Sequence, residues 1–99
     1  MAGHVRAVRL LITGRVQGVG YRDFVRSEAH LRGLAGWVRN RRDGSVEAVA
    51  AGVSDSIDEL IAACWRGPPA ARVADIAVTA MDAADAALLG AEFAIRPTA

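Results

Sequence analysis

The feature that most constrains this chain is the segment from Gly14 to Arg22, which places three glycines within seven residues. A β-rich apolar run precedes the segment, and a helical pattern of apolar residues follows it. A strand that turns through glycines into a helix directs several backbone N–H groups, together with the positive end of the helix dipole, at one point. The segment therefore predicts a binding site for an anion such as phosphate.

The patterns on either side of this turn predict the element order β-α-β-β-α-β-β. Helical spacing predicts one helix from Tyr21 to Gly33, and a second that starts within 54–56 and stops at Gly67. The order is typical of an α+β two-layer sandwich of the ferredoxin-like βαββαβ plan, with an additional short C-terminal strand. Two helices would cover one face of an antiparallel sheet, and residues 1–99 would form a single domain. The predicted strands are 5–13, 35–41, 46–51, 73–81 and 91–96.

The second helix carries two further expectations. Ser56 and Glu59 fit a capping box at its start. Apolar residues at helical spacing are expected to face the core; they are Ile57, Leu60, Ile61, Cys64 and Trp65. An alanine-rich connection, 82–90, is expected to form at most one helical turn before the last strand.

Composition narrows the classes of function. All twelve basic residues are arginine. The net charge is only +1, which provides little attraction for a nucleic-acid backbone. Any cationic ligand of a phosphate must then be a guanidinium. Cys64, His4 and His30 are too few for a structural zinc site. We find neither a secretory signal nor a membrane-spanning apolar run, and expect a cytoplasmic protein with no nucleic-acid or membrane partner.

Two common phosphate motifs do not fit the glycine segment. A Walker A loop needs lysine and then serine or threonine after its last glycine, where this chain has Tyr21 and Arg22. A dinucleotide fingerprint needs a third glycine where Asp23 stands. What remains is a short glycine loop that closes on an arginine in the first helical turn.

The predicted hairpin carries a second pattern, made of Gly36, Trp37, Val38, Arg39, Asn40, Gly44, Val46 and, at its end, Gly52. This pattern and the segment from 14 to 22 resemble the two signatures of the acylphosphatase family, in the right order. The resemblance covers nearly the whole chain, and we find no departure at a signature position.

The resemblance implies hydrolysis of the carboxyl–phosphate anhydride bond of small acyl phosphates to a carboxylate and inorganic phosphate. It implies that Arg22 binds the phosphoryl group and that Asn40 orients the attacking water. The phosphoryl oxygens would be bound by the backbone N–H groups of Arg15, Val16, Gln17, Gly18, Val19 and Gly20. It implies no metal, no cofactor and no covalent phosphoenzyme, and inorganic phosphate would be both product and inhibitor. We expect a monomer.

Neighbouring side chains are expected to have lesser roles. Gln17 is expected to form hydrogen bonds within the loop, and Arg15 to face solvent. Tyr21 and Trp37 are expected to be packing residues that support the site. The arginines at 39, 41 and 42 are expected to form a solvated strand face that attracts anionic substrates.

Two alternatives belong to other classes. One is a non-catalytic phosphate- or carbamoyl-phosphate-binding module within a larger assembly, which the presence of Arg22 and Asn40 disfavours. The other is an RNA-binding sheet, which needs exposed aromatic side chains on its central strands and a basic surface.

Overall fold

The computed structural model describes residues 4–82, 85 and 90–99, and within them the predicted order of elements is confirmed. The alanine-rich connection predicted at 82–90 lies mostly outside the described residues. The elements are β1 (Val5–Arg15), α1 (Tyr21–Leu31), β2 (Ala35–Asn40), β3 (Val46–Val53), α2 (Ser54–Arg66), β4 (Arg72–Met81) and β5 (Phe93–Ile95).

The five strands form one sheet in the order β4-β1-β3-β2-β5. Neighbouring strands are antiparallel except β2 and β5, which are parallel, so the expectation of a purely antiparallel sheet is wrong at this edge. The reason is topological. The chain leaves β4 at the end of the sheet where β2 begins, so a strand that returns along the free edge of β2 must run in the same direction as β2.

The core lies between the two helices and one face of the sheet. Val8, Leu10 and Ile12 of β1 are buried on this face, because alternate residues of a strand point the same way. The inner side of α1 follows helical spacing, since Tyr21, Val25 and Ala29 are buried and Phe24 is partly buried against the core. The sheet's other face, which we call the outer face, carries the alternate residues of the same strands.

The inner side of α2 follows the predicted spacing with one exception. Ile57, Leu60 and Cys64 are buried, whereas Trp65 is 47% exposed. Placing Trp65 in the core is therefore wrong. Positions 57, 60 and 64 already span the side of the helix that meets the sheet, and the small side chain of Ala63 completes it.

The capping box predicted for α2 is also wrong. The helix begins at Ser54, directly after β3, and no side chain caps its first turn. The Ser54 N–H instead donates to the His4 carbonyl oxygen at 2.6 Å. Its hydroxyl accepts a hydrogen bond from Arg6, which also forms an ion pair with Asp58 at 2.7 Å. Because β3 runs straight into α2, no free turn remains in which Ser56 could act as the cap.

Candidate active site

The glycine loop, residues 16–20, connects β1 to α1 at the end of the sheet where β2 also ends. Gly18 and Gly20 have φ angles of +72° and +79°, a left-handed conformation that glycine adopts without strain. The Gly20 carbonyl accepts the first hydrogen bond of α1, from the Phe24 N–H at 3.1 Å. Within the described part of the chain, no N–H group of residues 16–20 donates to a backbone carbonyl. These donors remain available to a ligand.

A small cavity of about 80 Å³ joins the two sequence patterns. Arg22 and Asn40 both line it, although eighteen positions separate them in the chain. Arg15 is exposed on β1 opposite Arg72, and the Val19 side chain packs against the core. The full lining is Val16, Gly18, Gly20, Tyr21, Arg22, Asp23 and Asn40.

Backbone hydrogen bonds hold Asn40 in place, while its side-chain oxygen has no hydrogen-bond partner among the described residues. It is the last residue of β2 and pairs with Val46 of β3. Its carbonyl oxygen accepts a hydrogen bond from the Ala99 N–H at 3.1 Å, so the C-terminal segment supports it from the other side. Asn40 Oδ1 is buried and has no hydrogen-bond partner among the described residues. A buried amide oxygen in this state is an acceptor available to a bound molecule.

The Arg22 guanidinium takes part in no ion pair among the residues that the structure describes. Asp23, the next residue, also lines the cavity, which sequence reasoning missed. Its carboxylate is 73% exposed and pairs with Arg26 at 3.1 Å. Because Arg26 binds that carboxylate, the positive charge of Arg22 is not neutralised by its neighbour.

Gln17 fixes the loop against the β2–β3 hairpin. Its Nε2 donates to the carbonyl oxygens of Arg41 at 2.7 Å and Ser45 at 2.8 Å. The prediction that Gln17 forms hydrogen bonds is confirmed, and its partners belong to the hairpin and not to the loop.

Tyr21 anchors the start of α1 from below, as predicted. Its buried hydroxyl donates to the Cys64 carbonyl oxygen of α2 at 2.7 Å. Burial raises the pKa of Tyr21 far above its ordinary value, so the hydroxyl stays protonated and keeps donating. Burial likewise raises the pKa of the Cys64 thiol, to about 12, which makes this cysteine a neutral core residue and not a nucleophile.

Trp37 is a packing residue, as expected, but it does not line the cavity. It lies on the outer face, where the guanidinium carbons of Arg39 and Arg96 are 4.7 and 4.8 Å from its ring centroid. Trp37 is one residue out of phase with Val38, which is buried under the helices. An aromatic ring occupied by two guanidiniums also disfavours the RNA-binding alternative, which needs a free stacking surface.

The arginines that follow Trp37 are not a simple solvated face. Arg39 Nε and Arg41 Nη1 donate to Glu47 Oε1 at 2.8 and 3.0 Å, and Arg9 Nε donates to Glu47 Oε2 at 2.6 Å. Arg42, by contrast, has an exposed side chain, as expected. Burial alone would raise the pKa of Glu47, but the three arginine hydrogen bonds outweigh burial and hold that pKa below its ordinary value. The alternation of β3 could have signalled this, because a glutamate stands between buried apolar residues there.

Neither a metal centre nor a membrane span is found in the described ranges. No group of three histidine, cysteine, aspartate or glutamate side chains lies where it could share a metal ion. No helix there is both long and apolar enough to cross a membrane.

A protein-family model described as acylphosphatase matches residues 8–95. This chain belongs to the acylphosphatase family. Both sequence patterns, the glycine segment and the hairpin with Asn40, lie inside the matched range, so the resemblance read from them is confirmed.

Acylphosphatase relatives extend over most of the chain. An acylphosphatase of Rhodopseudomonas palustris strain BisB18 is 50% identical over 92 residues, which are 91% of this chain and 93% of the relative. The crystal structure of an acylphosphatase from Bacillus subtilis superimposes with a TM-score of 0.84 at 41% identity, covering 94% of this chain and 99% of that one. The ferredoxin-like fold is thus the acylphosphatase fold.

The same fold also occurs inside a longer protein. A full-length HypF in a phosphate- and nucleotide-bound form matches with a TM-score of 0.84 at 25% identity. The match covers 99% of this chain but 13% of that protein.

Proposed function

We propose that this protein hydrolyses the carboxyl–phosphate anhydride bond of small acyl phosphates. The observation that carries the proposal is the buried, unpartnered Asn40 Oδ1 in the cavity that Arg22 also lines. An anion is bound by hydrogen-bond donors and positive charge. A buried hydrogen-bond acceptor beside them can instead bind a water molecule.

The phosphoryl group is bound by Arg22 and by the backbone N–H groups of residues 15–20. The transition state of phosphoryl transfer spreads negative charge over three equatorial oxygens, so catalysis depends on fixed donors and on alignment. Arg22 supplies a permanent charge in a planar fork, and the loop supplies N–H groups that no backbone carbonyl occupies.

Asn40 orients the water. Its Oδ1 accepts a hydrogen bond from the water, and its Nδ2 donates to a phosphoryl oxygen. The water oxygen attacks phosphorus in line as the phosphorus–oxygen bond to the acyl group breaks. The electron pair of that bond leaves on the carboxylate. An amide does not take up the proton at neutral pH, so the proton passes to a phosphoryl oxygen or to solvent.

This chemistry requires little else. A carboxylate is a good leaving group, so no general acid is needed. Direct attack by water forms no phosphoenzyme, and Cys64, the only cysteine, is buried and neutral. We further propose that the reaction is independent of metal ions, that inorganic phosphate competes with substrate, and that the protein acts as a monomer in the cytoplasm.

The direct test is phosphate release from benzoyl phosphate in the presence of a chelator. We expect turnover that the chelator does not change, and no comparable turnover of phosphomonoesters. Arg22→Ala and Asn40→Ala should stay folded and lose about 10²–10³ in turnover, as for the loss of an oxyanion donor. Arg66→Ala is the matched control, because Arg66 is an exposed helical arginine on α2 that does not line the cavity. Loss of activity with chelator, or normal turnover in either site variant, would refute the proposal.

The second candidate is a non-catalytic phosphate- or carbamoyl-phosphate-binding module. The observation that favours it is the match to HypF, in which this fold is a small part of a longer protein. Phosphate binding by calorimetry, without release of phosphate from any acyl phosphate, would support this candidate against the enzyme.

A further inference from the structure

We propose that Glu47 is a positioning residue that holds Asn40 from the opposite face of the sheet, an inference that rests on the proposed function. The Glu47 side chain is only 6% exposed. One of its oxygens accepts hydrogen bonds from both Arg39 and Arg41, at 2.8 and 3.0 Å. A single buried carboxylate therefore binds the residue before Asn40 and the residue after it. We call Glu47, Arg39 and Arg41 the clamp.

The register of the hairpin explains why this clamp does not enter the cavity. Arg39 pairs with Glu47 across β2 and β3, and Asn40 pairs with Val46. Successive side chains of a strand point to opposite faces, so Asn40 faces the helices while the two arginines face outward. Glu47 fixes the backbone on which Asn40 stands and contacts no residue of the cavity lining through its carboxylate.

The clamp also reaches the glycine loop. The Arg41 carbonyl oxygen accepts hydrogen bonds from Gln17 Nε2 at 2.7 Å and from the Gly44 N–H at 3.1 Å. The Arg41 side chain is meanwhile held by Glu47. Residue 41 is therefore the point where the loop, the hairpin and the carboxylate meet, and a shift there would move Asn40 relative to the loop donors.

Substitutions that change the net charge in opposite directions distinguish a positioning role of Glu47 from a long-range electrostatic effect on anion binding. A negative charge on the outer face opposes anion binding, so its removal alone would strengthen phosphate binding, and the loss of an arginine would weaken it. A positioning role predicts a different result, because each of three substitutions removes a charged partner from the clamp. They are Glu47→Gln, Arg39→Gln and Arg41→Gln. All three should then lower turnover, although the first raises the net charge and the others lower it.

The experiment compares these three variants with Arg9→Gln. Arg9 binds the same carboxylate at 2.6 Å but lies on β1, so its loss leaves the contacts of Arg39 and Arg41 in place. We expect turnover of benzoyl phosphate to fall about ten- to a hundredfold in the clamp variants, as for a misplacement of about 1 Å, with KM and the inhibition constant of phosphate nearly unchanged. Arg9→Gln should keep wild-type turnover.

A second measurement does not depend on activity. The Asn40 side-chain amide signals in a ¹⁵N-correlated NMR spectrum should shift or broaden in the clamp variants and not in Arg9→Gln. If the wild type released no phosphate, the proposed function would fail and these signals alone would decide the role of Glu47. If Glu47→Gln did not fold, the two arginine variants would carry the test. Unchanged Asn40 signals, opposite effects of the glutamate and arginine variants, or an equal loss in Arg9→Gln would overturn the inference.

Discussion

The Gln17 side-chain amide lies 2.7 Å from the Arg41 carbonyl oxygen, and this contact joins the glycine loop to the end of β2. The same nitrogen donates to the Ser45 carbonyl oxygen at 2.8 Å, so one side chain binds two carbonyls of the hairpin. Arg41 follows Asn40 directly. The distance between the loop donors and the amide that is proposed to orient water therefore depends on Gln17, which does not itself line the cavity.

Two substitutions of Gln17 should have different effects on stability, because one removes the two hydrogen bonds and the other replaces them with a repulsive contact. Gln17→Ala removes the donor, and Gln17→Glu places an acceptor-only carboxylate against two carbonyl oxygens. We expect Gln17→Glu to reduce the free energy of unfolding by about 1–3 kcal/mol, and Gln17→Ala to reduce it less. Turnover should fall about tenfold in both, because the loop is no longer held against the hairpin. Urea unfolding and benzoyl phosphate kinetics measure the two effects. Wild-type stability in Gln17→Glu would show that the contact does not stabilise the folded protein.

Gly36 tests how closely β2 and β3 approach. A Cβ at this position would overlap the Val49 carbonyl oxygen. Neither group can move away, because the pairing of β2 with β3 holds both backbones in place. Gly36→Ala should therefore reduce the free energy of unfolding by about 3 kcal/mol or more, or prevent folding. The control is Gly33→Ala, which has open space around the new Cβ and a φ of +65°. It should cost only the backbone strain, about 1–2 kcal/mol. Equal thermal unfolding midpoints in the two variants would contradict the close approach.

Glu47 should make the stability of the protein sensitive to acid. Its pKa is lower in the folded than in the unfolded chain, so it contributes stability above the unfolded value. That contribution is lost as the pH falls from about 4.3, the ordinary glutamate pKa, through the lower folded value. Glu47→Gln should be less stable than the wild type at pH 7, by about 1–3 kcal/mol, and the difference should shrink toward pH 3.

Urea unfolding at a series of pH values measures this convergence. Asp43 remains as an internal reference, because hydrogen bonds from Ser45 also lower its pKa, and it should keep part of the acid sensitivity in both proteins. A constant difference between wild type and Glu47→Gln from pH 7 to pH 3 would show that the carboxylate charge is not what stabilises the cluster.

Elements with strong local signals could be predicted from the sequence. The helix that begins at Tyr21 has its start fixed by the glycine turn, and the spacing of Val25 and Ala29 fixes its inner side. The hairpin follows from Asp43 and Gly44, and the structure closes it with a hydrogen bond from the Arg41 N–H to the Ser45 carbonyl at 2.8 Å. In each case residues a few positions apart determine the conformation.

Features that depend on contacts between distant residues could not be predicted in this way. The direction of β5, the exposure of Trp65 and the support of Asn40 by Ala99 all depend on which elements become neighbours after the sheet has assembled. Glu47 is similar, because its three arginines come from β1 and from both sides of Asn40. Isolated charges in a sequence do not reveal which of them share a face.

The sequence by itself determined the family, the order of the elements, and the two segments that carry Arg22 and Asn40. These follow from residue types at fixed short spacings, which any chain with this pattern retains. Only the tertiary structure decided that the two segments meet in one cavity with Asn40 Oδ1 unpartnered, and that Gln17 and Glu47 hold them there. The physical reason is that strand register and side-chain alternation, set by packing of the whole sheet, choose which distant groups come within hydrogen-bonding distance.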